Sequence, residues 1–433
     1  MANESRKVAL LLTALAAAIA SGSAHAFRVD YQVDLGVERN DNLFFTPDNQ
    51  VRTTILRPGL GFVLTEESST WQAEFSGRAE YLHYQEGDYD DNFEGVLAGR
   101  LNWVAIPERL HFTLEDNLSV QPVDVLRPDV PDNRQQINVL SVGPTLFFDI
   151  GRTLKGAASV RYINSRAEVT DEFNSDRLDM ALSATKEFST TTQVSGHIQA
   201  QRVDFEDDTA ARDFDRSNIF GRYTRTLASF DVAVDAGLSR ISFRGGDSRS
   251  SPLFRVQGTW RPTSRHALGL SAASEYSDSA IDALGGIGPG TSVPGGVVVG
   301  DSVVSGSPFK ERSLEATYDY NTTRANLMVA SYYNQLRYVE TSDFDQNNYG
   351  IRGEFNWQLR PRFEVGVFGS YGQVSYERLD RKDKSVEVGV QAGYAWGQHL
   401  SSHLRFTRYD RILSVGQDTR QNVLEFVIAY RNR

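Results

Sequence analysis

From residue 27 onward the chain alternates apolar and polar positions with a period of two, almost to its end. In 28–39 the apolar set is Val29, Tyr31, Val33, Leu35 and Val37, and between them sit Asp30, Gln32, Asp34, Gly36 and Glu38. In 71–83, Trp71, Ala73, Phe75, Gly77, Ala79 and Tyr81 alternate with Gln72, Glu74, Ser76, Arg78 and Glu80. The stretches 349–359 and 385–396 repeat the pattern, with Tyr349, Ile351, Phe355 and Trp357 on one apolar face and Val386, Val388, Val390, Tyr394 and Trp396 on the other. Successive side chains of a strand point to opposite faces, so each stretch predicts a strand with one apolar and one polar side. The alternation predicts about 20 strands, at 28–39, 52–65, 69–83, 92–104, 109–120, 134–150, 154–165, 175–188, 193–205, 215–226, 230–242, 252–260, 265–276, 309–320, 325–338, 348–359, 363–375, 385–396, 400–409 and 421–431. Parity is lost around Arg202–Phe205, which leaves 18 strands as the alternative. Pro58 and Pro144 fall on apolar faces inside strands, where a missing N–H predicts a bulge or a strand end.

Connections alternate in length. Short ones lie near 66–68, 105–108, 151–153, 189–192, 227–229, 261–264, 321–324, 360–362 and 397–399. The others are mostly longer and polar, and the longest runs over 277–308. Short turns at one end and longer loops at the other are the habit of outer-membrane barrels, with the turns in the periplasm and the loops outside the cell. The five tryptophans sharpen this. Trp71, Trp103, Trp260, Trp357 and Trp396 each occupy an apolar face close to a short turn. Trp favours the membrane–water interface, so they predict a girdle on the periplasmic side. The expected fold is all-β: a single antiparallel transmembrane β-barrel with short periplasmic turns and longer extracellular loops.

Composition then narrows the class. Mean hydropathy is −0.39, which excludes a helical membrane protein but not a barrel, whose two faces cancel in any average. The net charge of −11 over 433 residues argues against nucleic acid as a partner. The absence of Cys excludes thiol catalysis and cysteine-held zinc, and suits an oxidising compartment. Residues 1–26 read as an export signal: Arg6 and Lys7, then the apolar run 8–20, then Ala24-His25-Ala26 as a small-x-small cleavage site. The barrel is therefore expected over 27–433, in the cell outer membrane, with the first strand beginning directly after cleavage and neither a plug nor an appended domain. Expected partners are outer-membrane lipid, lipopolysaccharide and the barrel assembly machinery, and no cofactor is expected.

At Val37–Gln50, VERNDNLFFTPDNQ, the chain resembles the outer-membrane β-barrel porin family associated with exopolysaccharide and exosortase gene clusters. Members open with a strand and an acidic-Asn-aromatic turn, and Arg57-Pro58-Gly59-Leu60 is similar to their Pro-Gly-Leu step. The resemblance implies a barrel linked to secreted polysaccharide, with periplasmic polysaccharide export components as further partners. The C-terminus departs from the pattern: Leu424, Phe426, Ile428 and Tyr430 alternate as expected, but Arg431-Asn432-Arg433 follow where such barrels end on an aromatic.

Candidate chemistry is sparse. Gly246-Asp247-Ser248 and Gly300-Asp301-Ser302 lack the strand-to-helix elbow of an esterase and read as ordinary turns. His399 and His403 have a spacing that suits a metal only on a helix, and His83, His111, His197 and His266 are scattered. Acidic loop clusters (Asp88, Asp90, Asp91; Asp124, Asp129, Asp132; Asp204, Glu206, Asp207, Asp208) read as solvated charge before they read as calcium or lipopolysaccharide sites. The polar strand faces carry more weight. Lumen candidates are Arg57, Arg78, Arg100, Arg161, Arg222, Arg352 and Arg405, with Glu74, Glu80, Glu94, Glu354, Glu364 and Glu387. Further inward acids are Asp179, Asp231, Asp235 and Glu315. This mixed interior leans acidic, whereas a conduit for an anionic polymer calls for mostly Arg. The expected function is a pore or accessory barrel for exopolysaccharide export, with a small-solute diffusion porin as the alternative and a barrel enzyme as the second. Loop 277–308 is expected to fold over or into the pore, with Val297-Val298-Val299 packed inward.

Overall fold

The computed structural model describes residues 27–86, 89–207, 211–285, 304–340 and 342–432. Residues 1–26, expected to be an export signal, and the valines at 297–299 lie outside the described residues. Twenty strands follow in order: β1 (Arg28–Asn40), β2 (Thr53–Glu67), β3 (Trp71–Tyr84), β4 (Asn92–Ile106), β5 (Leu110–Pro122), β6 (Arg134–Asp149), β7 (Leu154–Ala167), β8 (Ser175–Ser189), β9 (Thr192–Phe205) and β10 (Phe214–Thr226) make the first half. The second half is β11 (Phe230–Phe243), β12 (Ser248–Thr263), β13 (His266–Ser277), β14 (Phe309–Asn321), β15 (Ala325–Tyr338), β16 (Gln346–Arg360), β17 (Phe363–Tyr376), β18 (Arg381–Ala395), β19 (Leu400–Leu413) and β20 (Thr419–Arg431). One short helix, α1 (Ser279–Gly285), follows β13. Every strand pairs antiparallel with the next, and β20 pairs with β1 from Gln32↔Arg431 to Asn40↔Val423. That last pairing closes the sheet into a barrel without edges.

The register assigns each side chain to a face. Val33 and Leu35 are 49% and 53% exposed, while Asp34 between them is 5% exposed. The same contrast runs round the wall through Ile198, Ile219, Leu238 and Val390, all more than half exposed. An apolar band of this extent facing outward is not compatible with water as the surrounding medium. Trp71 begins β3, Trp103, Trp260 and Trp357 lie near the ends of β4, β12 and β16, and Trp396 follows β18. All five therefore stand at the short-turn end. Trp71 stacks on Trp103 at 5.5 Å, and Trp103 on Phe112 at 5.2 Å.

Two expectations need correction. Neither Pro58 nor Pro144 makes a bulge or ends a strand. Pro58 stays opposite Leu35, and pairing with β3 skips from Leu56↔His83 to Gly59↔Glu80 without a change of register. Pro144 stays opposite Phe112, with a like gap toward β7 between Val142↔Tyr162 and Thr145↔Ser159. Each proline lacks the N–H for one neighbour only, and the intact ladder on its other side holds the register. The actual register shifts lie by short turns, at Val104/Ile106, Glu187/Ser189, Trp260/Thr263 and Gln358/Arg360. The parity break at Arg202–Phe205 is not a break in β9 either, since the strand runs in register to Phe205 on both sides. Its inward face turns apolar there, and Val203 and Phe205 are buried with Phe214, Ile241 and Phe243 at the long-loop end.

Phe75 faces outward and Gln72 inward on β3. Phe75→Arg should destabilise the barrel by roughly 2–4 kcal/mol in lipid, whereas Gln72→Arg should cost little. Urea unfolding of both variants in liposomes measures the difference, and equal losses would contradict the assigned faces.

Candidate functional site: the lumen and the segments that cross its mouth

The inward faces carry a series of ion-pair clusters. Arg57 reaches Glu38 and Glu80 at 2.8 Å and Glu425 at 3.4 Å, joining β1, β2, β3 and β20. Arg78 holds Asp34 through Nη1 at 2.9 Å and Nη2 at 2.7 Å. Glu115 accepts Arg100 at 3.0 Å and Arg161 at 3.3 Å. Asp235 takes Arg222 at 2.7 Å and Arg255 at 3.3 Å, and Arg255 also pairs with Glu275. Arg352 meets Glu315 at 2.8 Å, Arg405 meets Glu387 at 3.5 Å, and Glu94 meets Arg134 at 3.2 Å. All seven candidate arginines are thus paired with carboxylates on the adjacent or next-but-one strand. Glu354 accepts amide hydrogens from Asn356 and Gln391 instead. Glu74 and Glu364 make no ion pair among the described residues, and both sit at the short-turn end of the lumen.

The long-loop end is built differently. The chain leaving β13 turns inward, and α1 packs its Ala280 and Ala283 on Ile137, Val139 and Ile163 of β6 and β7. Those strands lie across the barrel, so the segment reaches them through the lumen. Asp278 anchors it. Its Oδ1 caps α1 by accepting the N–H groups of Ala280 and Ile281, and it receives Arg177 Nη1 of β8 at 2.5 Å. Arg216 of β10 stands 3.8 Å from the other carboxylate oxygen and donates to the Tyr276 carbonyl. Asp278 and Arg177 are each 2% exposed. Burial alone would raise the Asp278 pKa, but Arg177 and Arg216 outweigh it and hold the carboxyl below the usual range. Asp282, one turn on, differs: burial and the nearby Glu311 push it up to about 8, although Ser277 Oγ donates to it at 2.7 Å. The returning strand passes Val304 into the same apolar cluster, and Gly306 lies so close to Ala211 and the Glu172 carbonyl that a Cβ would not fit.

A second segment crosses the other way. The connection 123–133 carries Val125 to Phe309, Leu336 and Tyr338 on the far wall. Its Leu126 carbonyl accepts Arg381 of β18 at 2.7 Å and Arg411 of β19 at 3.1 Å. Asn133, fully buried, braces it by donating to the carbonyls of Asp124 and Pro128. Beside this crossing a cavity of about 510 Å³ opens between Phe44, Phe45, Arg127, Val130, Arg411 and Leu413. Of the long loop, the described ends 278–285 and 304–308 lie inward, whereas the valines 297–299 on which the expectation rested lie outside the described residues. The crossing by 123–133 was not legible in the sequence, although Val125, Leu126 and Val130 between prolines are the signal that such a loop has an apolar surface to bury.

The remaining sequence candidates find ordinary places. Ser195 Oγ lies 2.8 Å from His197 Nε2, two residues along the inward face of β9. The imidazole stacks on Phe220 at 4.7 Å, and the nearby Asp235 is committed to two arginines, so no carboxylate orients it as a triad requires. His399 Nδ1 lies 3.0 Å from the Arg431 carbonyl oxygen. Of the acidic loops, Asp91 binds Tyr81 and His83, Asp132 pairs with Arg127, Asp129 with Arg134, Asp204 with Arg244, and Glu206 with Arg166. Gly300-Asp301-Ser302, Asp88 and Asp208 lie outside the described residues. The acidic-Asn-aromatic turn after β1 is a closure device: Asn42 donates to the carbonyls of Thr46 and Arg420, and Asp41 holds Asn422 of β20.

Fold and site together define a closed 20-stranded antiparallel β-barrel with a polar, ion-paired lumen and two segments across one mouth. No family model matches the chain, and no curated protein matches it in sequence. Among solved structures it is similar to the FrpB iron transporter from Neisseria meningitidis in its apoprotein form, with 10% identity and a TM-score of 0.48 over 93% of this chain and 81% of that one. It is also similar to Acinetobacter baumannii OccAB4 (10% identity, TM-score 0.38, 94% and 99% covered) and to Pseudomonas aeruginosa OpdK with vanillate (10%, 0.37, 94% and 99%). These are distant likenesses of fold, and no activity is carried across from them.

Removing one member of a buried ion pair leaves a charge without a partner, at a cost of about 3–5 kcal/mol. Asp278→Asn should therefore release α1 from the wall, seen as faster amide exchange in 278–284 with the strands unchanged. The pH response follows from Asp282. Its carboxyl binds a proton more tightly docked than released, where the ordinary value is about 3.9. Docking is accordingly favoured at low pH, weakens as pH rises from that range toward the raised value, and changes no further above it. Amide exchange in α1, corrected for its intrinsic pH dependence, should quicken between about pH 4 and about pH 8, and Asp282→Asn should flatten that change.

Proposed function

We propose that this protein is an outer-membrane diffusion channel for small solutes, narrowed at its outer mouth by the segments 123–133, 278–285 and 304–308. The observation that carries the reading is a closed wall, apolar outside and polar inside, with inserted chain at one end only. Short turns and a tryptophan ring mark one end as periplasmic, which puts the crossing segments on the cell exterior. Barrels of 16–18 strands already enclose a water-filled channel, so about 20 need a constriction to avoid leaking. The lumen charges are mostly paired and the unpaired ones are acidic, which suits neutral or weakly cationic solutes.

The exopolysaccharide conduit implied by the VERNDNLFF resemblance is the weaker reading. A polymer would have to pass two segments, both anchored by buried contacts, and the quoted turn is accounted for by its bonds to β20. An enzyme is weaker still, because the Ser195–His197 pair lacks an orienting carboxylate.

Reconstituted in planar bilayers, the protein should conduct and should prefer cations slightly, read from the reversal potential in a salt gradient. Replacing both Glu74 and Glu364 by Gln should reduce that preference without lowering conductance more than about twofold. Strong anion selectivity would contradict the lumen assignment, and no conductance in any variant would overturn the pore reading.

A further inference from the structure

The outward face is apolar almost everywhere, yet β5 sets Asp116 on it. The outward row of β5 reads Leu110, Phe112, Leu114, Asp116, Leu118, Val120. Asp116 pairs across the ladder with Gly99 of β4 and Leu140 of β6. On β4, Gly99 lies between Trp103 toward the short turn and Phe93 toward the other end, so the carboxyl stands within the apolar band. One oxygen accepts Asn138 Nδ2 of β6 at 2.8 Å. With that amide hydrogen and the backbone N–H of Asn117, part of the acceptor capacity of the carboxylate is still unused. Gln136, next on the outward row of β6, has its side-chain oxygen buried without a partner beside Gly95. Gly95 and Gly99 lie on the outward row of β4, and the ring of Phe75 folds over Gly99.

Polar groups facing hydrocarbon are costly, and lipid chains offer them no donors. Small residues that permit close approach, beside polar side chains that bond across the contact, are the composition of protein–protein contacts inside membranes. The patch on β4–β6 has both features. Its groups are also complementary to themselves: Asp116 has acceptor capacity to spare, and although Asn138 spends its amide hydrogens on Asp116 and the Asn117 carbonyl, Gln136 carries an amide group on the same outward row. A twofold axis through such a patch brings each carboxylate to the Gln136 amide of the other copy, the isologous arrangement most homodimers use. We propose that the outward face of β4–β6 around Asp116 is the surface on which a second copy of this chain packs in the membrane. The proposal rests on the wall facing lipid and not on what passes through the lumen.

The chain has no cysteine, so a single introduced thiol is diagnostic. Leu118→Cys, next to Asp116 on the same face, should be joined by copper phenanthroline oxidation in intact outer membranes into a species of twice the chain mass. Val390→Cys, on the outward row of β18, is the control and should remain single. Adding Asp116→Leu to Leu118→Cys should lower the cross-linked fraction at least several-fold while the barrel keeps its heat-modifiable mobility and its conductance. A Leu118→Cys chain that cross-links no better than the control, joins a protein of another mass, or is indifferent to Asp116→Leu would overturn the proposal. A protein that dimerises in this way yet conducts nothing would leave this inference intact and remove the channel reading.

Discussion

Backbone N–H and C=O groups have no water to bond in a bilayer core, and every other property of this molecule is arranged around that constraint. The sheet can satisfy them only by closing on itself. The pairing of β1 with β20 does so, and the chain reinforces it where closure is most exposed to failure. Asn42 bonds to the backbone of the last strand, Asp41 binds Asn422, and Asn432 returns to Tyr31 and Val29. The two in-strand prolines are tolerated for the same reason: each forfeits one rung, and the ladder on its other side is unbroken.

Closure creates a wide interior that is polar by parity. The protein fills it with pairs. Arg57 spans four strands through three carboxylates, and Asp235 ties β10 to β12 through two guanidinium groups. Exposed ion pairs contribute little singly, but clusters of half-buried ones stiffen a wall that has no packed core behind it. At the outer mouth the logic reverses. Ile137, Val139, Val203, Phe205 and Ile241 occupy inward positions that would otherwise be polar; α1 and Val304 bury the first two, Gly306 lies against Phe205, and Val203 and Ile241 pack with Phe214, Phe243 and Tyr276. Constriction and stability are therefore the same structure there: the residues that narrow the pore are the ones that give its rim an apolar core.

Strand number, the two faces and the Trp ring were legible in the sequence because period-two alternation reports a local property, the direction of successive side chains. The inward basic and acidic residues were legible on the same ground, down to individual positions such as Arg57, Glu80 and Glu387. Their partners were not. Arg57 meets Glu425 only because the last strand lies beside the first, a relation of closure that no local pattern carries. The same holds for Asp278, whose partners come from β8 and β10, and for Leu126, which reaches β18 and β19. The loss of parity at Arg202–Phe205 read as an irregular strand; it is a regular strand whose inward face meets a loop from elsewhere in the chain. Alternation along one strand is settled by two faces in different media, and that information is written residue by residue. Which loop enters the lumen, and which charge finds which, depends on distances across a closed wall, and those exist only once the ends of the sheet have met.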